Sequence, residues 1–152
     1  HNNVAEKYAR RNLYYKEYFD PEWGFMRGKL ANGAWQEPFN PNYSDHDTSP
    51  YVEGNAWQWS WFVPHDVSGF IALFPSKEAF SMKLDSLFTT SSEILGENAS
   101  ADITGLIGQY AHGNEPSHHV IHFYNYLGES FKTQKDIEDL LEKISTDKTV
   151  VK

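Results

Sequence analysis

Apolar residues recur at helical spacing in four stretches, and between these the pattern breaks into segments rich in proline and glycine. In the first stretch, Asn2 to Tyr18, Ala5, Ala9 and Leu13 share a face with Val4 and Tyr8 beside them, and Asn2 or Asn3 offers a cap. In the second, Ser76 to Phe88, Ser76 is the predicted cap and Phe80, Leu84, Leu87 and Phe88 form the stripe. A third, Glu115 to Leu127, buries Val120, Phe123, Tyr124 and Leu127 and stops at Gly128. In the fourth, Thr133 to Ile144, Thr133 with Asp136 reads as a capping box before Ile137, Leu140, Leu141 and Ile144. Shorter helical segments are predicted over Glu53–Trp61, ended or kinked by Pro64, and over Asp66–Phe74. Phe19 to Pro50 carries six prolines and glycines before Pro50 itself, with Trp23, Phe25, Trp35 and Phe39 among them. It reads as a long ordered loop, packed by its own rings or shaping a site. Thr89 to Gly113 is loop-like with short apolar pieces, and no stretch shows convincing β-alternation. The expected fold is all-α, about six helices with long loops on one side.

Composition narrows the partners. At 152 residues, with 39% hydrophobic and 22% charged residues, the chain is long enough for one folded core. A net charge of −8 with no basic run argues against nucleic acid. Cysteine is absent, which excludes disulfides, zinc–thiolate sites and thiol nucleophiles. No apolar run reaches the length of a membrane span, and no signal peptide precedes residue 1. His1 stands directly in helical pattern, so the chain reads as a piece of a longer one. Aromatics reach 16%, more than a core requires, so some rings are expected to line a binding surface.

The density of chemistry is greatest in Tyr51 to Phe74, YVEGNAWQWSWFVPHDVSGFIALF, which holds three of the five tryptophans. Aromatic faces stack on pyranose rings, while acids and amides such as Glu53, Asn55 and Gln58 bind hydroxyls. Glu53 reads either as a helix N-terminal acid complementing the dipole or as a general acid kept protonated among tryptophans. His65-Asp66 reads either as an orienting pair or as a capping Asp beside an ordinary His. In the second dense stretch, HGNEPSHH from His112 to His119, Asn114 and Pro116 suit a helix start, and Asn114 and Glu115 also suit a hard cation or sugar hydroxyls. Glu115 and His118, and His118 and His122, have the spacing of helical metal ligands, but only one copy of the Glu-x-x-His motif is present. These histidines read better as hydrogen-bonding within a polar core. Asn98-Ala99-Ser100 is a sequon, relevant only in a glycosylating secretory pathway. No nucleophile elbow, phosphate loop or dinucleotide fingerprint is present.

Together, YVEGNAWQWSWFVPHDVSGFIALF and TGLIGQYAHGNEPSHHVIHFYNYLG resemble the catalytic domain of family 92 glycoside hydrolases, calcium-dependent exo-acting α-mannosidases, mostly bacterial. FTTSSEILGEN and FDPEWGFMRGKLANGAWQEPFNP are similar as well, and the resemblance weakens after about Lys143. It implies an (α/α)6 barrel, of which residues 1–152 would be a part, and hydrolysis with inversion, with α-1,2-linked mannose in glycans as the expected substrate. An acid protonates the leaving oxygen, and a base about 6.5–9.5 Å away activates water. It implies Glu53 as general acid, Asn114 and Glu115 around Ca²⁺ and the terminal mannose, and His112, Trp57 and Gln58 as substrate contacts. The family's base lies in a Gly-Asn-Asp-Asp-like motif that these residues do not contain; Asp45, Asp47 and Asp102 are the spare loop acids, and the tail STDKTVVK does not match the family text. The family's N-terminal β-sandwich and the remaining barrel helices are therefore the expected partners, the chain alone is expected to be inactive and prone to self-association, and a secreted, periplasmic or cell-surface bacterial enzyme is implied. Two other classes stand beside this one. One is a non-catalytic carbohydrate-binding helical protein, which a glycan screen with and without calcium would reveal. The other is a helical metal-binding protein, which a transition-metal assay would reveal.

Overall fold

Helix boundaries follow caps and side-chain anchors more closely than apolar stripes. The computed structural model describes residues 2–146, with the side chains of 3–143. Helix α1 spans Asn2–Arg11, and Asn2 and Asn3 lie within its first turn. The expected helix to Tyr18 is instead broken, because Tyr14–Tyr18 tightens into a 3₁₀ turn. The described part of the α1 stripe is exposed, with Val4 at 59% and Tyr8 at 60%, so no packing carries the helix past Asn12. The turn itself is tied down: the Tyr15 hydroxyl donates to Asp66 Oδ2 at 2.8 Å.

Two hairpins depart from an all-helical chain. β1 (Phe19–Asp20) pairs with β2 (Phe25–Met26), and β3 (Leu106–Ile107) with β4 (Tyr110–Ala111), both antiparallel. Each strand is only two residues long, too short to leave a period-2 signal. Gly108, at φ +56°, seats the second hairpin: a Cβ there would lie 2.4 Å from the Leu87 carbonyl oxygen. The loop after β2 is ordered by a buried guanidinium. Arg27 donates to Asp20 at 2.7 Å, to Glu37 at 2.6 Å and to the Gln36 carbonyl, and lies 4.3 Å from the Phe39 ring centre.

Helix α2 (Ala56–Trp59) is shorter than expected and α3 is Val67–Ile71. Helix α4 (Lys77–Thr89) matches its prediction: Ser76 Oγ accepts from the Ala79 N–H at 3.1 Å, and Phe80, Leu84 and Leu87 are buried. The expected helix from Glu115 to Leu127 is two 3₁₀ turns, Glu115–Ser117 and Val120–His122, then α5 (Phe123–Leu127). Pro116 supplies no N–H at this start. Gly128, left-handed at φ +79°, ends α5 as expected. Helix α6 (Ser130–Thr146) starts earlier than expected, so Thr133 is inside it. The predicted capping box is absent, and Thr133 Oγ1 donates to the Ile121 carbonyl at 2.9 Å instead. The tail beyond 146 lies outside the described residues.

The core is ring-rich, which revises the expectation that surplus aromatics face a ligand. Trp61, Phe70, Phe74, Phe80 and Phe123 meet largely edge to face, with Phe70–Phe80 at 5.3 Å and Trp61–Phe80 at 5.5 Å. At the rim of this core, burial raises the Asp136 carboxyl to about 6, with Asp139 and Asp85 adding to the shift against Lys135 and Lys132. The folded state thus holds a proton that the unfolded chain releases near 3.8, so stability falls as pH rises from about 4 to about 6. Asp136→Asn is expected to raise the melting temperature of this chain at pH 7, with the gain fading towards pH 4. Calorimetry across that range checks it.

Candidate active site

The backbone at Glu53 is left-handed, φ +57°, and no other non-glycine residue described has a positive φ. The helix predicted to begin at Glu53 starts three residues later, so Glu53 is not its N-terminal acid. A bulky residue in this region costs about 1–2 kcal/mol and persists only where its surroundings hold it. Three contacts hold this one. Asn114 Nδ2 donates to the Glu53 carbonyl at 3.0 Å. Trp59 Nε1 donates to the Val52 carbonyl. Gly54 lets the Trp59 indole approach, since a Cβ would sit 3.0 Å from its ring.

Two residues on, Asn55 is fully buried and caps α2. Its Oδ1 accepts from the Trp57 and Gln58 N–H groups, and Gln58 Oε1 accepts from the Asn55 N–H at 2.8 Å. This is a capping box, and Asn-x-x-Gln was its sequence signal. The remaining donors run to Gln109: Asn55 Nδ2 reaches Gln109 Oε1 at 3.0 Å, and Gln58 Nε2 reaches the Gln109 carbonyl at 2.7 Å. Both ends of the Gln58 amide are thus engaged within the protein, as is Trp57 Nε1, which donates to Asn42 Oδ1 at 3.0 Å. Trp57 stands edge-on to Phe25 at 4.7 Å. These two expected sugar contacts are buried, with their polar groups bonded to Asn55, Asn42 and Gln109.

The Glu53 carboxylate is exposed and takes no hydrogen bond from the described residues. A depression of about 350 Å³ lies among Tyr18, Met26, Tyr51, Val52 and Trp59, within the size range of small-ligand sites; Val52, next in sequence to Glu53, lines it, and Glu53 itself does not.

Asn114 precedes the Glu115–Ser117 turn but makes no side-chain cap; its amide N–H₂ is used on Glu53, leaving Oδ1 without a partner among the described residues. Glu115 is exposed. Both are hard oxygen donors suited to calcium, which takes about six to eight oxygens. Among the described residues no group of three or more His, Cys, Asp or Glu could hold a metal, so these donors fit calcium in kind and supply only part of a shell.

The histidines turn away from metal geometry. His118 Nε2 donates to the His112 carbonyl at 2.9 Å, and His119 Nε2 to the Trp61 carbonyl at 3.0 Å. The 3₁₀ turns break the helical spacing on which the metal reading rested. His112 stacks on His118 at 4.6 Å, and its Nδ1 meets the Tyr110 hydroxyl at 3.0 Å. Burial, then the neighbouring His118, holds the His112 pKa below the usual imidazole value. Such a neutral ring can offer a hydroxyl either a donor or an acceptor. Asp66 is a cap, accepting from the Gly69 N–H, while His65 Nε2 meets the Asn12 carbonyl at 3.1 Å. Asp45 accepts from Asp47, Thr48 and Asn98, hydrogen bonds that hold its pKa down, Asp47 first. Asp102 bonds Ser100 Oγ, and Asn98 of the sequon is exposed.

The family model for the glycosyl hydrolase family 92 catalytic domain matches residues 1–149, further into the tail than Lys143. Among solved structures, a family GH92 α-mannosidase from Bacteroides thetaiotaomicron in complex with mannoimidazole is 42% identical with a TM-score of 0.73, over 86% of this chain and 18% of its own. A second structure of that mannosidase gives 41% and 0.69, over 86% of this chain and 16% of its own. A family GH92 inverting mannosidase from the same organism is 30% identical with a TM-score of 0.69, over 93% of this chain and 20% of its own. The chain therefore spans a fifth or less of these proteins. No match was found among curated proteins.

Proposed function

This chain belongs to glycosyl hydrolase family 92, and from that premise we propose that it supplies the general acid and part of the sugar site of an α-mannosidase. The proposed enzyme removes terminal mannose, α-1,2-linked, from glycans, with inversion and with calcium. The single observation that carries the reading is the Asn114–Glu53 hydrogen bond, which joins the two motif stretches at the one non-glycine residue of positive φ among the described residues.

In this scheme Glu53 donates its proton to the glycosidic oxygen as the bond to the anomeric carbon breaks. Asn114 and the Trp59 indole fix the backbone from which that carboxyl reaches out. His112, Trp57 and Gln58 shape the surface on which the terminal sugar rests, His112 by contact and the other two largely from beneath. Asn114 Oδ1 and the Glu115 carboxylate would hold calcium with oxygens from elsewhere. What such a calcium would supply there is positive charge for the mannose hydroxyls, which would favour a distorted ring. Water is activated on the opposite face by a base. We place that base outside residues 1–152, together with the β-sandwich and the other helices of an (α/α)6 barrel. A secreted, periplasmic or cell-surface location in a bacterium fits a glycan substrate; no described helix is long and apolar enough to cross a membrane.

The experiment assays the longer natural protein and residues 1–152 side by side, with calcium, on an aryl α-mannoside. The longer protein is expected to release β-mannose first, seen by proton NMR, and the 152-residue chain is expected to release none. Calcium-dependent release by the short chain at a comparable rate would show that the base lies within it. Failure of the longer protein on every α-mannoside would sink the mannosidase reading.

A further inference from the structure

We propose that Gln109 is a positioning residue for Glu53, acting through the buried amides of Asn55 and Gln58. The proposal rests on the reading of Glu53 as general acid, and adds what holds that acid in place.

Gln109 is fully buried on the approach to β4, in sequence closer to the His112–His119 stretch than to Glu53. Every polar atom of its side chain is in use. Nε2 donates to the Ser91 carbonyl at 2.7 Å and to the Glu93 carbonyl at 2.9 Å. Oε1 accepts from Asn55 Nδ2 at 3.0 Å and from Gln58 Nε2 at 3.3 Å. The orientation of the amide is therefore fixed by its partners: carbonyls face its nitrogen and amide nitrogens face its oxygen. Its backbone N–H donates to the Leu87 carbonyl at 2.8 Å, which ties the same residue to α4.

The network closes on itself. Glu93's carbonyl also accepts from Asn42 Nδ2, and Asn42 Oδ1 accepts from Trp57 Nε1. Three loops and the start of α2 are thus joined through one buried side chain. Asn55 is two residues after Glu53, and its side chain is the cap that fixes where α2 begins. Loosening Asn55 lets Glu53 relax from its left-handed conformation, leaving only the Asn114–Glu53 and Trp59–Val52 bonds to hold the segment. A displaced acid still leaves the sugar its other contacts, so the defect falls on proton donation.

Hydrogen bonds wholly within the fold predict a general loss of folded protein on mutation. Positioning predicts something different, a loss that depends on the leaving group. The test uses the longer natural enzyme. Gln109→Met keeps the volume and removes all four bonds. Gln109→Asn keeps an amide, with its acceptor and its donor, on a shorter arm and serves as the milder variant where the first fails to fold. For each, kcat and KM are measured on an unactivated α-mannoside and on one with a strongly acidic phenol as leaving group, with the folded fraction taken from far-UV circular dichroism. Expected for Gln109→Met is a fall in kcat of about tenfold to a hundredfold on the unactivated substrate, with little loss on the activated one and little change in KM. Gln109→Asn is expected to lie between that variant and the parent. Equal losses on both substrates, in proportion to the folded fraction, would overturn the proposal. A Glu53→Gln control separates the two levels: if it too shows equal losses, the acid assignment fails; if it shows the leaving-group dependence and both Gln109 variants do not, only the positioning role fails.

Discussion

Glu53→Gln in the longer enzyme is expected to lower kcat on an unactivated α-mannoside by about 10²–10⁴-fold, the range that a lost general acid represents. The change should barely affect KM. The amide keeps the size of the carboxyl, and the backbone contacts that shape this segment come from Asn114 and Trp59, which the substitution leaves in place. An amide cannot give up a proton to the departing oxygen. With a leaving group that departs without protonation, most of the loss should vanish. Kinetics on the two substrates check this, and equal, mild losses on both would remove Glu53 from the role.

Chelation of calcium is expected to abolish turnover of the longer enzyme, with recovery on calcium and not on zinc. The argument is one of donor chemistry. Asn114 Oδ1 and the Glu115 carboxylate are hard oxygens, whereas the imidazoles nearby are turned to the His112 and Trp61 carbonyls. Glu115→Ala should raise the calcium concentration needed for half activity by about tenfold or more, since it removes a charged ligand worth at least about 1.4 kcal/mol. Asn114→Ala should do more, because it also removes the donor to the Glu53 carbonyl. Titration of activity with calcium after chelation measures both. Recovery with zinc alone would contradict the assignment.

The elements that could be read from the sequence were those set by local chemistry. Ser76 and Gly128 mark helix ends because a hydroxyl oxygen and a missing Cβ act on their own turn. Phe80, Leu84 and Leu87 were legible because one helical face meets the core. Misreadings came where a distant contact decided the outcome. Thr133 has the look of a cap, yet its hydroxyl serves a carbonyl twelve residues back. The Val4–Tyr8 stripe has the pattern of a buried face and is mostly exposed among the described residues.

The site divided in the same way. Glu53 and the Asn114-Glu115 pair stood out as motif residues. Their union did not, since the Asn114–Glu53 bond spans 61 residues and no spacing rule predicts it. The left-handed turn at Glu53 was hidden because glutamate gives no signal for positive φ. Gln109 is a single amide in a hairpin, with no pattern to mark it, and its role is visible only in the four partners around it. Gln58 shows the converse. Its residue type suggested a sugar contact, and its neighbours use it as one half of a capping box.

The central claim is that the side chain at position 53 meets the glycosidic oxygen. The most direct measurement is a crystal structure of the longer enzyme carrying Glu53→Gln, with calcium and an intact α-mannoside bound. The account predicts the residue-53 amide nitrogen within about 2.6–3.2 Å of that oxygen. A glycosidic oxygen facing a different carboxyl, with residue 53 beyond hydrogen-bonding reach, would contradict it.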